Sequence, residues 1–201
     1  MEIIKLKSAL HQDEILSLVL FHKRYTVLRE NYLDLQKSGF RISGNYSLSD
    51  DGVISSQVCP INHFRMKGLF VDFRFFYAQK EKTNFYKVCN SILSKHVEDS
   101  RFRALIRNNV NNYREVGMSK DWHGYAADDL LNYWFNGEFF HLDQEKWPKV
   151  HEVLEAMDSD TAMHVLGEII YSRLECIRNI CFVSKPIING QMEVILPKEY
   201  A

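Results

Sequence analysis

The sequence predicts a mainly α fold: a single helical bundle of about six to seven helices, with a small β-hairpin insertion at about 40–58 and a C-terminal β-hairpin. Three observations carry this. Apolar residues recur at three- and four-residue spacings over most of the chain, Gly, Asn, Asp and Ser punctuate those stretches as caps and stops, and period-two alternation is confined to two short segments. At 201 residues with 46% apolar and 25% charged positions, the chain has the length and composition of one globular domain, taken as 1–201.

The elements follow in order. Leu10, Ile15, Leu18, Val19, Phe21, Val27, Leu28 and Leu35 define a long helix over 9–38, with Gly39 as its C-cap. Residues 40–58 are rich in Ser, Gly and Asp and alternate around 41–47 and 53–58, which suits a hairpin turning at Asp51–Gly52. Pro60 opens a second helix over 61–80, so dense in Phe that most of its faces are buried; Arg65, Asp72 and Arg74 on it must be paired or serve something. Thr83 or Asn84 caps a third helix to about 97, and Ser100 a fourth over 101–116 closed by Gly117. A fifth covers about 125–135, Asp143 caps a sixth through 157, and Asp158 or Ser159 starts a seventh that ends near Val183, ahead of Pro186. The tail 187–196 reads as two strands around an Asn189–Gly190 turn, with Ile3–Leu6 as a further pairing partner.

Several function classes are disfavoured. The longest apolar runs fall far short of the roughly 20 residues of a membrane span, and the N-terminus lacks the pattern of a secretory signal, so a soluble cytoplasmic protein is expected. Cys59, Cys89, Cys176 and Cys181 show no C-x-x-C spacing and read as free, mostly buried thiols. No G-x-S-x-G, H-E-x-x-H, P-loop or G-x-G-x-x-G is present, and no metal or cofactor is expected.

The near-neutral net charge of −1 conceals two opposed blocks. Residues 60–120 carry twelve Lys and Arg against five acids, whereas 121–170 carry two Lys against eleven acids. Such blocks suit a basic face for polyanions, or helices of opposite charge that meet in the fold. Within the basic block, Arg103, Arg107 and Arg114 fall on one side of the fourth helix, amid Asn108, Asn109, Asn111, Asn112 and Tyr113. Guanidinium groups bind phosphates, amides read base edges and tyrosine stacks on bases, so this face is a candidate RNA-binding surface. A second constellation is Trp134-Phe135-Asn136-Gly137 through Lys146. There His141 and Asp143 flank a helix start and Lys146 lies one turn in, a setting for a phosphate or carboxylate. His141 and Asp143 have the spacing of a metal pair, but no third ligand is identifiable.

The aromatic helix with Phe64-Arg65 and Phe73-Arg74, the run Lys80-Glu81 into Asn84-Phe85-Tyr86-Lys87-Val88, and Trp134-Phe135-Asn136-Gly137 with Phe140-His141 resemble bacterial helical proteins of the HEPN type. The resemblance covers about 60–185. It implies a helical bundle, often dimeric, from a group in which many members are RNases of toxin–antitoxin, abortive-infection and CRISPR-associated systems. Active members carry an Arg followed, after four to six residues, by a His. Arg178-Asn179 and Arg107-Asn108 have the opening of that motif, yet none of the eleven arginines has the His. The expectation is therefore an RNA-binding or regulatory protein in a defence or toxin–antitoxin setting without the usual nuclease motif. If the protein is an enzyme, it is a divergent ribonuclease drawing on Arg74, Glu81, His141 or Arg178. The alternative is an interaction module, such as an immunity or inhibitor protein, whose acidic stretch 121–168 covers a basic partner. A homodimer through the aromatic helix is also expected, on its aromatic excess.

Overall fold

In chain order, β1 (Glu2–Lys5), α1 (Gln12–Lys37), β2 (Tyr46–Leu48), β3 (Ile54–Ser56), α2 (Phe85–His96), α3 (Ser100–Met118), α4 (Ser159–Ile188), β4 (Glu193–Leu196) and a 3₁₀ turn (Lys198–Tyr200) make up a mainly helical chain. The computed structural model describes residues 1–39, 46–48, 54–56, 65, 68–69, 72–73, 76, 85–118, 126 and 159–201. Arg65, Gly68, Leu69, Asp72, Phe73 and Phe76 are all helical, within the expected second helix. The expected fifth and sixth helices lie outside the described residues. No helix among those described is long and apolar enough to cross a membrane.

The chain gathers into two compact units. One combines Met1–Arg29, Asp72–Glu115 and Ser172–Ala201; the other combines Glu30–Val71 and Val116–Tyr171. In the first, Leu18 and Phe21 of α1, Phe73, Phe76, Phe102 and Ile177 are fully buried, with Phe21 edge-on to Phe76 at 5.1 Å between ring centres. Asp72, the buried acid of the aromatic stretch, is paired with Arg24 at 3.0 Å, as a charge so close to a core requires. In the second unit, Tyr32 stacks on Tyr171, Arg65 reaches Asp34 at 3.8 Å, and the β2–β3 hairpin pairs Tyr46 with Ser56 and Leu48 with Ile54.

Helix ends are set by local chemistry. The His11 N–H donates to Glu14 Oε2 at 2.9 Å and opens α1, while Gly39, at φ +67°, ends it by donating to the Gln36 carbonyl. The expected Ser100 cap of α3 lies one residue earlier. Asp99 Oδ1 accepts the Arg101 and Phe102 N–H groups at 2.8 and 3.2 Å, and a carboxylate at a helix start also meets the positive end of the dipole.

The C-terminal β-hairpin is corrected. Ile187 and Ile188 belong to α4, which passes through Pro186 in its last turn, where the proline forfeits the bond back toward the Phe182 carbonyl. Gly190, at φ +80°, donates to Ile187 and Gln191 donates to Pro186, so Asn189–Gly190 forms a Schellman helix end in place of a strand-to-strand turn. Beyond it, β4 pairs antiparallel with β1 from Glu2↔Leu196 to Lys5↔Glu193, so the partner of the last strand is the first.

Candidate functional site

On α3 the buried arc is Phe102, Leu105, Ile106, Asn109 and Tyr113. Arg103, Arg107 and Arg114 are exposed on the far side, within about 40° of one another at about 100° per residue. Arg107 and Arg114 have no carboxylate partner among the described residues, whereas Arg103 donates to the Val97 carbonyl at 3.2 Å. Arg101, two residues before them, contrasts sharply: it donates to both Glu2 and Asp99 at 2.8 Å, and its bond to Asp99, with those from the Phe102 and Arg101 backbone N–H groups, holds the Asp99 carboxyl down at about 2. The exposed arc continues from the arginines through Asn111 and Asn108 to Asn112. Tyr113 is not on it. Its hydroxyl donates to the Phe76 carbonyl at 2.7 Å, its ring stacks on Tyr86 at 4.3 Å, and the Arg173 guanidinium lies 4.3 Å from its ring centre.

Where that arc meets α4 there is a cavity of about 60 Å³ lined by Asn109, Asn112, Asn179, Phe182, Glu199 and Tyr200 among others. Asn109 is its fixed floor. Nδ2 of Asn109 donates to Tyr86 Oη at 2.7 Å and to the Cys176 carbonyl at 2.9 Å, and Oδ1 accepts from Asn179 at 3.4 Å. Asn179 and Asn112 are exposed at the rim, as is Phe182 at 40%. Arg178, beside Asn179, is exposed and donates to Glu175 at 2.7 Å. Arg74, Glu81, His141, Asp143 and Lys146 lie outside the described residues, as does most of the acidic stretch. No three His, Cys, Asp or Glu side chains converge as a metal site among the described residues. Cys89, Cys176 and Cys181 are buried free thiols, and burial pushes Cys89 up to about 12 and Cys176 to about 11.

A further cluster joins residues 88 positions apart, a separation no sequence window spans. The Ser8 hydroxyl lies 2.8 Å from His96 Nδ1, and His96 Nε2 lies 2.9 Å from Glu14 Oε2. Lys95 donates to the other carboxylate oxygen at 2.9 Å. The imidazole is 3% exposed and the Glu14 side chain 16%, while Ser8 is exposed. Burial alone raises the Glu14 carboxyl, but the bonds from Lys95, the His11 N–H and His96 outweigh it and hold the carboxyl at about 2. Only the His11–Glu14 end of this cluster has a local signal, the acid three residues after a helix cap.

The chain matches no family model, no curated protein and no solved structure.

Proposed function

We propose that the protein binds single-stranded RNA across the exposed arc of α3 and acts in a regulatory rather than a cleaving role, as a HEPN-like member of a bacterial defence or toxin–antitoxin system. The observation that carries the reading is the pair Arg107 and Arg114, exposed guanidiniums without carboxylate partners among the described residues, on the same side as Arg103. A row of uncompensated, bidentate donors fits phosphate oxygens, and the amides of Asn111, Asn108 and Asn112 continue the surface toward base edges. Tyr113 takes no part, because its ring is in the core. The absent His leaves the arginines without the proton-transfer partner of the HEPN nuclease motif.

The test is fluorescence anisotropy of a labelled single-stranded RNA at several salt concentrations. Three phosphate contacts on a single strand give a log–log slope of about −2, so affinity falls roughly twentyfold between about 50 and 200 mM salt. The double variant Arg103→Glu and Arg107→Glu loses the binding while its far-UV circular dichroism is unchanged, and the RNA stays full length on a denaturing gel. Absence of binding at low salt, or affinity indifferent to salt, rejects the RNA reading in favour of a protein partner.

A further inference from the structure

We propose that Ser8, His96 and Glu14 form a nucleophile–base–carboxylate relay in which Ser8 accepts acyl groups from small esters. The roles follow from the hydrogen bonds. Glu14 is anionic, so in the neutral imidazole the Nε2–H turns to it, and Nδ1 is left with a lone pair facing the serine. The Ser8 hydroxyl then donates to Nδ1 at 2.8 Å, which is the contact a general base needs with a hydroxyl it is to deprotonate. The base is walled in and oriented by the third group, and the nucleophile is exposed. Compared with the serine-protease triad the imidazole is used the other way round, with Nδ1 rather than Nε2 toward the serine, and either ring nitrogen is competent as a base.

Helix capping accounts for less of this arrangement. The cap needs Glu14 and the His11 N–H alone; it places no demand on His96 or on Ser8. A tether of the N-terminal segment is already supplied by the Lys7 N–H, which donates to the His96 carbonyl at 2.9 Å. The additional outlay is an imidazole buried between a carboxylate and a surface hydroxyl.

In the acyl-transfer step, Ser8 Oγ bonds to the ester carbonyl carbon as its proton passes to His96 Nδ1. The ester C–O bond breaks, the proton moves from Nδ1 to the leaving oxygen, and the products are a free alcohol and an acyl-serine. Water, deprotonated by the same nitrogen, then releases the carboxylic acid and restores the serine. Glu14 stabilises the imidazolium in both halves, as a positioning residue. Ser8 is exposed, so its hydroxyl is open to esters with an unhindered carbonyl.

The deciding experiment uses the full chain with Ser8→Cys and follows its alkylation by iodoacetamide against pH, with the unsubstituted protein as background. Burial keeps the Cys89, Cys176 and Cys181 thiols protonated, so they contribute little, and the reaction of Cys59 is subtracted with the rate of the unsubstituted protein. A thiol beside the His96 base titrates well below the free value of about 8.5 and, at pH about 6.5, reacts about fivefold faster than a free thiol after allowance for its lower nucleophilicity. Adding Glu14→Gln to Ser8→Cys moves that titration back toward the free value. In parallel, a fluorophosphonate probe forms an adduct on the Ser8 peptide that Ser8→Ala abolishes. A substituted thiol that titrates near about 8.5 overturns the relay, whatever the probe does.

Discussion

Replacing Asn109 with aspartate keeps the shape of a buried side chain and inverts half of its hydrogen bonding. Asn109 is 5% exposed, and its amide nitrogen serves two acceptors, Tyr86 Oη and the Cys176 carbonyl. An aspartate presents an oxygen to that carbonyl at about the same separation, with no proton between them. Losing two neutral hydrogen bonds costs about 2 kcal/mol, and leaving a carboxylate desolvated beside a carbonyl adds about 1–2 kcal/mol more. The expected total of about 3–4 kcal/mol lowers Tm by roughly 10 °C for a chain of this size. The penalty depends on pH. Burial raises the folded-state pKa of the new carboxyl above its unfolded value of about 3.9, so the destabilisation is smallest at and below that pH and grows as pH rises toward the folded value. Asn109→Leu, which removes the amide without adding a charge, costs about 1–2 kcal/mol and shows no such dependence. Thermal melts followed by circular dichroism from acid to neutral pH measure both. An Asn109→Asp protein as stable as the unsubstituted one at neutral pH, or a penalty that does not shrink in acid, would refute the assignment of Asn109 as the donor that ties α3 to α4.

Three other outcomes are expected. Burial first, then the nearby Lys185 charge, lowers His22 to about 4, with Ser184 Oγ 2.9 Å from its Nε2. Stability is therefore complete above about 6.5 and falls as pH drops from there through about 4, and urea titrations of His22→Gln lose that portion of the acid sensitivity. Phe21→Ala opens a cavity against Phe76 and lowers the unfolding free energy by about 3–5 kcal/mol in denaturant melts. Gly190→Ala meets nothing within 4 Å, so its cost, about 1 kcal/mol in the same assay, comes wholly from a φ of +80°.

The elements that the sequence makes legible are those whose signals are local. Leu18, Phe21, Leu28 and Leu35 repeat at helical spacing and Gly39 stops them, so α1 is read to within three residues at its start and one at its end. α3 is equally plain, and its arginine side follows from angular arithmetic alone. The same arithmetic places Tyr113 on the arc of Phe102, Ile106 and Asn109, and it is this arc that is buried. Composition suggested a stacking platform where geometry sets a core residue. Asn189–Gly190 misleads for a different reason: the dipeptide serves a hairpin turn and a Schellman end equally well, and only the far side of the chain, where β1 waits for β4, decides between them. The Ser8–His96–Glu14 cluster is beyond sequence reading for the same cause, since His96 enters it from another helix.

The pairing of Glu2 with Leu196 imposes an order on biosynthesis. The unit that contains β1 is assembled from three separate stretches, the last of them beginning at Ser172. As the chain leaves the ribosome, Leu18, Phe21 and Leu28 emerge early, but the α4 residues and β4 that complete their unit follow on the order of ten to thirty seconds later at about 5–20 residues per second. Through that interval an apolar helix face and an unpaired strand edge stand open to other chains. Closure waits on segments far apart in sequence, which makes it slow relative to helix formation.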